Sequence, residues 1–239
     1  VGIASAVNTF GKEGLGMGLA DRARVRAATK RSALLSGFLS GFRRPTKIID
    51  LGGTFAMWQR WGLAGDNSLS VTLANNFASD TNAKSIDLRF TNFSRLDIDV
   101  LELDDNSYKQ FDLIFSNSML EHLPTRRLQQ RLADSITSSG RPYFIQVPNK
   151  YSMIDPHFAH PLAPFFASWP KPLQMRMLLV SGLNGGGRHR SLDTAARRLE
   201  FYCPLGKTEM KRLFPGAKVS YEWSYGIPMS IVARRGSGA

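Results

Sequence analysis

Apolar and polar positions alternate along this chain in blocks that read as helices and strands in turn. Residues 20 to 42, ADRARVRAATKRSALLSGFLSGF, form a basic helical region in which Val25, Ala28, Leu34, Leu35, Phe38 and Leu39 make an apolar stripe beneath the arginines. Such a stripe caps a core or lies on a membrane surface. Pro45 ends the pattern, and TKIID follows as a short buried strand. Beyond Gly52 and Gly53, FAMWQRWGL is helix-compatible, LSVTLANN reads as a second strand and FSRLDIDV as a third, with residues 78 to 92 polar and poorly periodic between them. FDLIFSNS is the clearest strand. It leads into MLEHLPTRRLQQRLADSITSS, a helix broken near Pro124, and then into the strand PYFIQVPN. This alternation predicts a parallel sheet with crossover helices and an α/β fold.

From 150 to 200 the alternation stops, and proline, glycine and aromatic residues dominate, with GLNGGGRHR at 182 to 190 a loop. An irregular insertion placed after the carboxyl end of a strand is positioned as a lid over a ligand. Order resumes with a short helix, KTEMKRLF, and two strands, AKVSYEW and IPMSIVAR. The chain therefore divides into a basic helical extension, 1–45, and a principal domain, 46–239, that carries the 150–200 insertion.

Composition narrows the picture. At 239 residues, 43% hydrophobic and 21% charged, the chain has enough apolar material for one α/β domain. Cys203 is its single cysteine, which excludes an intramolecular disulfide and points to a reducing compartment, the cytoplasm. Neither VGIASAVNTFGKEGLGMGLA nor the proline-interrupted stretch 158–183 reads as a secretory signal or a transmembrane helix. The net charge of +12 gathers in clusters, at Arg22 to Arg31, Arg43 to Lys47, Arg126 to Arg131 and Arg188 to Arg198. These suit an anionic surface, membrane or nucleic acid, or else simply a solvated basic exterior.

Ligands of an open parallel sheet bind outside the carboxyl ends of its strands. The polar strand ends are Asp50 to Thr54, Asn75 and Asn76, Asp99 and Val100, Ser116 to Ser118, and Pro148 with Asn149. Gly52 and Gly53 permit a tight turn and close approach to a ligand, and the following helix offers unpaired N–H groups. GGTFAM does not satisfy the dinucleotide fingerprint, and no P-loop is present.

Taken in order, IIDLGGT, VTLANN, DIDVLELDDNSYKQFDLIFSNSMLEHL and PYFIQVPNKY resemble class I S-adenosylmethionine-dependent methyltransferases, especially the quinone-biosynthesis and small-molecule branch. The resemblance covers residues 46 to 150 and is carried most specifically by FDLIFSNSMLEHL. It implies a Rossmann-like, seven-stranded, mostly parallel sheet with an antiparallel last strand, and S-adenosyl-L-methionine as cofactor. It places Asp50, Gly52, Gly53 and Thr54 around the cofactor's methionine part, Asn75 and Asn76 at the ribose, Asp99 and Val100 at the adenine, and Asn117 and Ser118 beside the methionine portion. The chain departs from the family pattern at Thr54, which stands for a glycine, and at Asn75, which stands for a carboxylate. An asparagine can accept a ribose hydroxyl, but without charge assistance.

Direct in-line methyl transfer needs positioning above all, and a base only when the acceptor must lose a proton. His157 is the candidate base, with Tyr151 and Asp155 nearby and His160 as the weaker alternative; each also reads as an ordinary loop residue. Asp155, His157 and His160 lack a fourth partner for a metal site. Glu121 and His122 read as scaffolding, Trp58 and Trp61 as packing of the helix on the sheet, and Cys203 as core. The expected acceptor is a small or lipid-like molecule. Two other readings stay open: nucleic-acid methylation, which the charge favours and SNSM in place of an NPPY-type tetrapeptide disfavours, and a homologue that binds cofactor without turnover.

Overall fold

The computed structural model describes residues 19–76, 89–153, 163–180 and 191–236. Helix α1 (Leu19–Leu39) precedes β1 (Thr46–Leu51), α2 (Phe55–Arg60), β2 (Leu69–Asn75), β3 (Phe93–Asp97) and β4 (Leu113–Asn117). Then come α3 (Arg126–Ser138), β5 (Tyr143–Pro148), α4 (Lys171–Val180), α5 (Leu192–Glu200), α6 (Lys207–Leu213), β6 (Lys218–Ser224) and β7 (Ile227–Arg235). The strands form one seven-stranded sheet in the order β3-β2-β1-β4-β5-β7-β6. β1 to β5 are parallel, and β7 runs antiparallel to both β5 and β6. The order reverses between β1 and β4, which is where the carboxyl ends open a crevice.

Both faces of the sheet are buried, which is why its central strands are apolar at consecutive positions rather than at alternate ones. Ile48, Phe115, Phe144 and Val232 face α1 and α2, whose Leu35, Leu39 and Trp58 are wholly or almost wholly buried against them. The apolar stripe of α1 therefore caps the core at Leu35 and Leu39. Trp58 stands edge-on to Phe115, 5.4 Å between ring centroids. Ile49, Ile114, Ile145 and Ile231 face the other way, under Leu132 and Ile136 of α3 and Met210 of α6. The break at Pro124 is where the pattern puts it: a 3-10 turn at Leu120–His122 ends there, and Thr125 caps α3 by accepting from Leu128 N–H at 3.3 Å.

The insertion is more regular than its composition suggests. It leaves β5 and returns at the same place, where Asn149 bridges Leu205 in parallel and Lys150 N–H donates to Leu205 O at 2.9 Å. Between these points α4 and α5 pack around a small core of Phe166, Leu178, Ala195, Leu199 and Tyr202. The prolines at 170 and 172 fall at the amino end of α4, where missing N–H groups have no partner to lose. Ser191 and Thr194 close a capping box on α5. The 182–190 loop lies outside the described residues. Among the described residues, no helix is long and apolar enough to cross a membrane.

Candidate functional site

The turn after β1 is built in two layers. Below it, Asp50 is fully buried, and its Oδ2 accepts from Trp58 Nε1–H at 2.7 Å. Burial pushes this carboxyl up to about 8, against the smaller opposing pull of the indole hydrogen bond, so it is protonated at neutral pH. Above it, Gly52 adopts φ +72, and a β-carbon there would fall 2.3 Å from Met119 Cγ. A β-carbon on Gly53 would fall 1.9 Å from Asp50 Oδ2. Gly53→Ala is therefore expected to cost about 2 kcal/mol or more through overpacking. Urea denaturation reads this directly, and an unchanged midpoint would mean that the loop rests elsewhere.

Asp50 thus supports the loop from beneath instead of lining its open side, although the sequence groups it with the ligand contacts. Thr54 precedes α2 in an extended conformation and makes no side-chain cap bond. With α2 only six residues long, the helix end anticipated from the sequence carries little dipole.

The other strand ends lie along the same edge. Asn75, half-buried, is the last residue of β2 and pairs in register with Asp97; its carbonyl accepts from Ile98 N–H at 3.2 Å. Asn76 is exposed. Asp99 is exposed and caps the turn Val100–Glu102 by accepting from Leu101 N–H at 2.9 Å, while Val100 is buried. Beyond this turn a cavity of about 290 Å³ opens between Val100–Asp105 and Arg131. At the end of β4, Ser116 donates to Leu51 O at 3.0 Å, tying it to the glycine turn. Ser118 is held at φ 56 by bonds from its N–H and its hydroxyl to Gln146, both 3.0 Å. A non-glycine residue in the left-handed region is costly and is tolerated where its neighbours fix it.

Arg31 joins this edge from α1, and nothing set it apart from its basic neighbours in sequence. Its guanidinium donates to Asn117 Oδ1 at 2.9 Å, to both Glu222 carboxylate oxygens at 2.9 and 3.2 Å, and to Ser230 Oγ at 3.0 Å. A pocket of about 260 Å³ lies alongside, between Lys30 and Leu34 of α1 and Trp223, Ser224 and Met229 of the β6–β7 hairpin.

Other sequence candidates are placed differently. His157, Asp155 and His160 lie outside the described residues. Tyr151 is exposed, Glu121 is wholly buried, and His122 is exposed with its Nδ1 3.3 Å from Phe201 O. Cys203 is half-buried and its N–H donates to Glu121 O at 2.7 Å.

No family model matches the chain, and no curated protein does. Solved structures do, at low identity. The 1,6-didemethyltoxoflavin-N1-methyltransferase of Burkholderia thailandensis, solved with 1,6-didemethyltoxoflavin and S-adenosylhomocysteine, shares 15% identity over 88% of this chain and 79% of its own, with a TM-score of 0.51. A possible exported protein of Bordetella parapertussis gives 12% identity, 87% and 68% coverage, and a TM-score of 0.51. An O-methyltransferase family protein of Burkholderia thailandensis gives 14% identity and a TM-score of 0.46; 90% of this chain spans only 58% of its length. The strand order, with its antiparallel β7, and the likeness to the N1-methyltransferase agree: the chain has the Rossmann-like fold of the class I S-adenosylmethionine-dependent methyltransferases.

Proposed function

We propose that the chain is a methyltransferase that uses S-adenosyl-L-methionine to methylate a small-molecule or lipid-like acceptor. The observation that carries this reading is the meeting, at one sheet edge, of the close-packed Gly52–Gly53 turn, the Asp99 turn and the strained end of β4. That edge also fits a polar ligand. One buried atom there, Gln146 Nε2, has no hydrogen-bond partner among the described residues.

When bound, the cofactor supplies a sulfonium-activated methyl group open to direct in-line displacement. The protein's part is to hold and orient. The backbone of Gly52 to Thr54, with Asn117 and Ser118, would hold the methionine portion. Asn75 and Asn76 would accept the ribose hydroxyls, and Asp99 with Val100 would address the adenine. His157 is assigned as the base for acceptors that must lose a proton. The co-crystallised acceptor of the N1-methyltransferase, 1,6-didemethyltoxoflavin, supports a small organic acceptor here as well.

Calorimetric titration with S-adenosylmethionine and S-adenosylhomocysteine tests the reading. Wild type is expected to bind both, and Asp99→Ala to bind about tenfold more weakly, as loss of one charged hydrogen bond predicts. No detectable heat with wild type would sink it.

A further inference from the structure

Large apolar side chains that stand in water are normal when scattered singly. Here they are not scattered. Among the described side chains, every large apolar one that stands exposed, from 43 to 69%, belongs to the 150–205 excursion or to the tip of the β6–β7 hairpin. Phe165, Leu173, Val180, Leu192 and Phe201 lie in the first, with Tyr151 and Met153 at its start, and Trp223 and Tyr225 in the second. Both segments project from the same edge of the sheet, because the excursion leaves and rejoins at the carboxyl end of β5 and the hairpin turns beside the start of β7. Among the large apolar side chains whose exposure is described elsewhere, none is comparably exposed.

The helix α4 shows how this face is organised. Gln174 and Leu178 point inward, and the opposite side presents Leu173, Arg176 and Val180, spaced as one outward stripe. This helix has Lys171 and Arg176 and no acidic residue. Phe165, at φ 57, stands exposed beside Met153, whose carbonyl accepts from Phe165 N–H at 3.2 Å.

Cations accompany the aromatic residues on this rim. Lys150 Nζ lies 5.5 Å from the Tyr151 ring centroid, Arg26 lies 4.9 Å over Tyr225, and Lys30 donates to Trp223 O at 2.9 Å. Aromatic rings with one apolar end, cations beside them and aliphatic side chains projecting beyond are the chemistry of a bilayer interface.

We propose that the rim of the carboxyl edge, formed by Phe165, α4, α5 and the tip of the β6–β7 hairpin, docks on an anionic lipid bilayer. The apolar side chains enter the acyl boundary and the lysines and arginines meet the headgroups, in a chain of net charge +12. The surface lies along the same sheet edge as the strand ends that the proposed function assigns to the cofactor. Its consequence for that function, which rests on the methyl-transfer reading, is that an amphiphilic acceptor would reach the strand ends from the bilayer without crossing water.

Sedimentation of the full chain with vesicles of phosphatidylcholine containing about 30 mol% phosphatidylserine tests the surface. Wild type is expected to pellet with these vesicles at about 0.1 M salt and to release as salt rises to about 0.5 M. The double variant Leu173→Glu, Val180→Glu should partition about tenfold less or weaker still, with an unchanged melting curve because both side chains already face outward. Failure of wild type to pellet overturns the proposal, and so does pelleting that the double variant leaves unaltered. A concentration-dependent dimer dispersed by the same substitutions would assign the face to a second copy and overturn it too. Titration with S-adenosylhomocysteine is read separately, so loss of vesicle binding and loss of cofactor binding are distinct results.

Discussion

Asp50→Asn should remove a fall in stability that the wild-type protein undergoes as pH rises from about 4 to about 8. The unfolded chain carries Asp50 at its ordinary value of 3.8, whereas burial in the fold raises it to about 8. Between those limits the folded state holds a proton that the unfolded state has released. Stability from this group is therefore fully present below the unfolded value, declines as pH climbs, and is gone above the folded one. A shift of this size corresponds to about 6 kcal/mol across the window. Asparagine keeps an oxygen for the Trp58 indole, 2.7 Å away in wild type, and has no charge to bury. Thermal melts at intervals of one pH unit should show the variant close to wild type near pH 4 and about 15 °C above it near pH 8.5. Parallel profiles for the two proteins would show that the Asp50 carboxyl reaches water or a cation in the folded state.

That expectation came from coordinates, while much around it was legible beforehand, and the difference is one of sequence distance. FDLIFSNS and PYFIQVPN declare themselves because a strand buried on both faces is a local run of apolar residues. The break at Pro124 and the packing of Trp58 are local too, written within a few residues of each other. Asp50 shows where local reading stops. Its position after a strand and before two glycines groups it with the ligand contacts, yet Trp58, eight residues on, draws it under the turn. Nor do the prolines of the insertion announce that they stand at the amino end of a helix, where they cost little. The Arg31 cluster is the extreme case: its partners lie 86, 191 and 199 residues away, and its own surroundings are more arginines.

Arg31→Met is expected to destabilise the protein by about 3 kcal/mol, most of it from the carboxylate it strands. The side chains of Arg31 and Glu222 are only 14 and 12% exposed, so water solvates Glu222 poorly once the guanidinium is gone. The cost is set slightly below that of a fully buried pair because of this residual exposure. Methionine retains most of the apolar stem, which isolates the charge from the packing. If stranding is the cause, Arg31→Met with Glu222→Gln should recover most of the loss, and a double-mutant cycle in urea should return a coupling of about 2 kcal/mol. Asn117 adds a functional arm. Its Oδ1 is held by Arg31 at 2.9 Å, and on the proposed reading it borders the cofactor's methionine portion. Titration with S-adenosylhomocysteine should then show weaker binding in Arg31→Met even where the protein remains folded, and the double variant should stay weak because Asn117 still lacks its donor. Stability restored together with affinity would mean that α1 serves the fold alone; stability restored without affinity makes Arg31 a positioning residue, acting on the end of β4 from a helix that begins before the sheet.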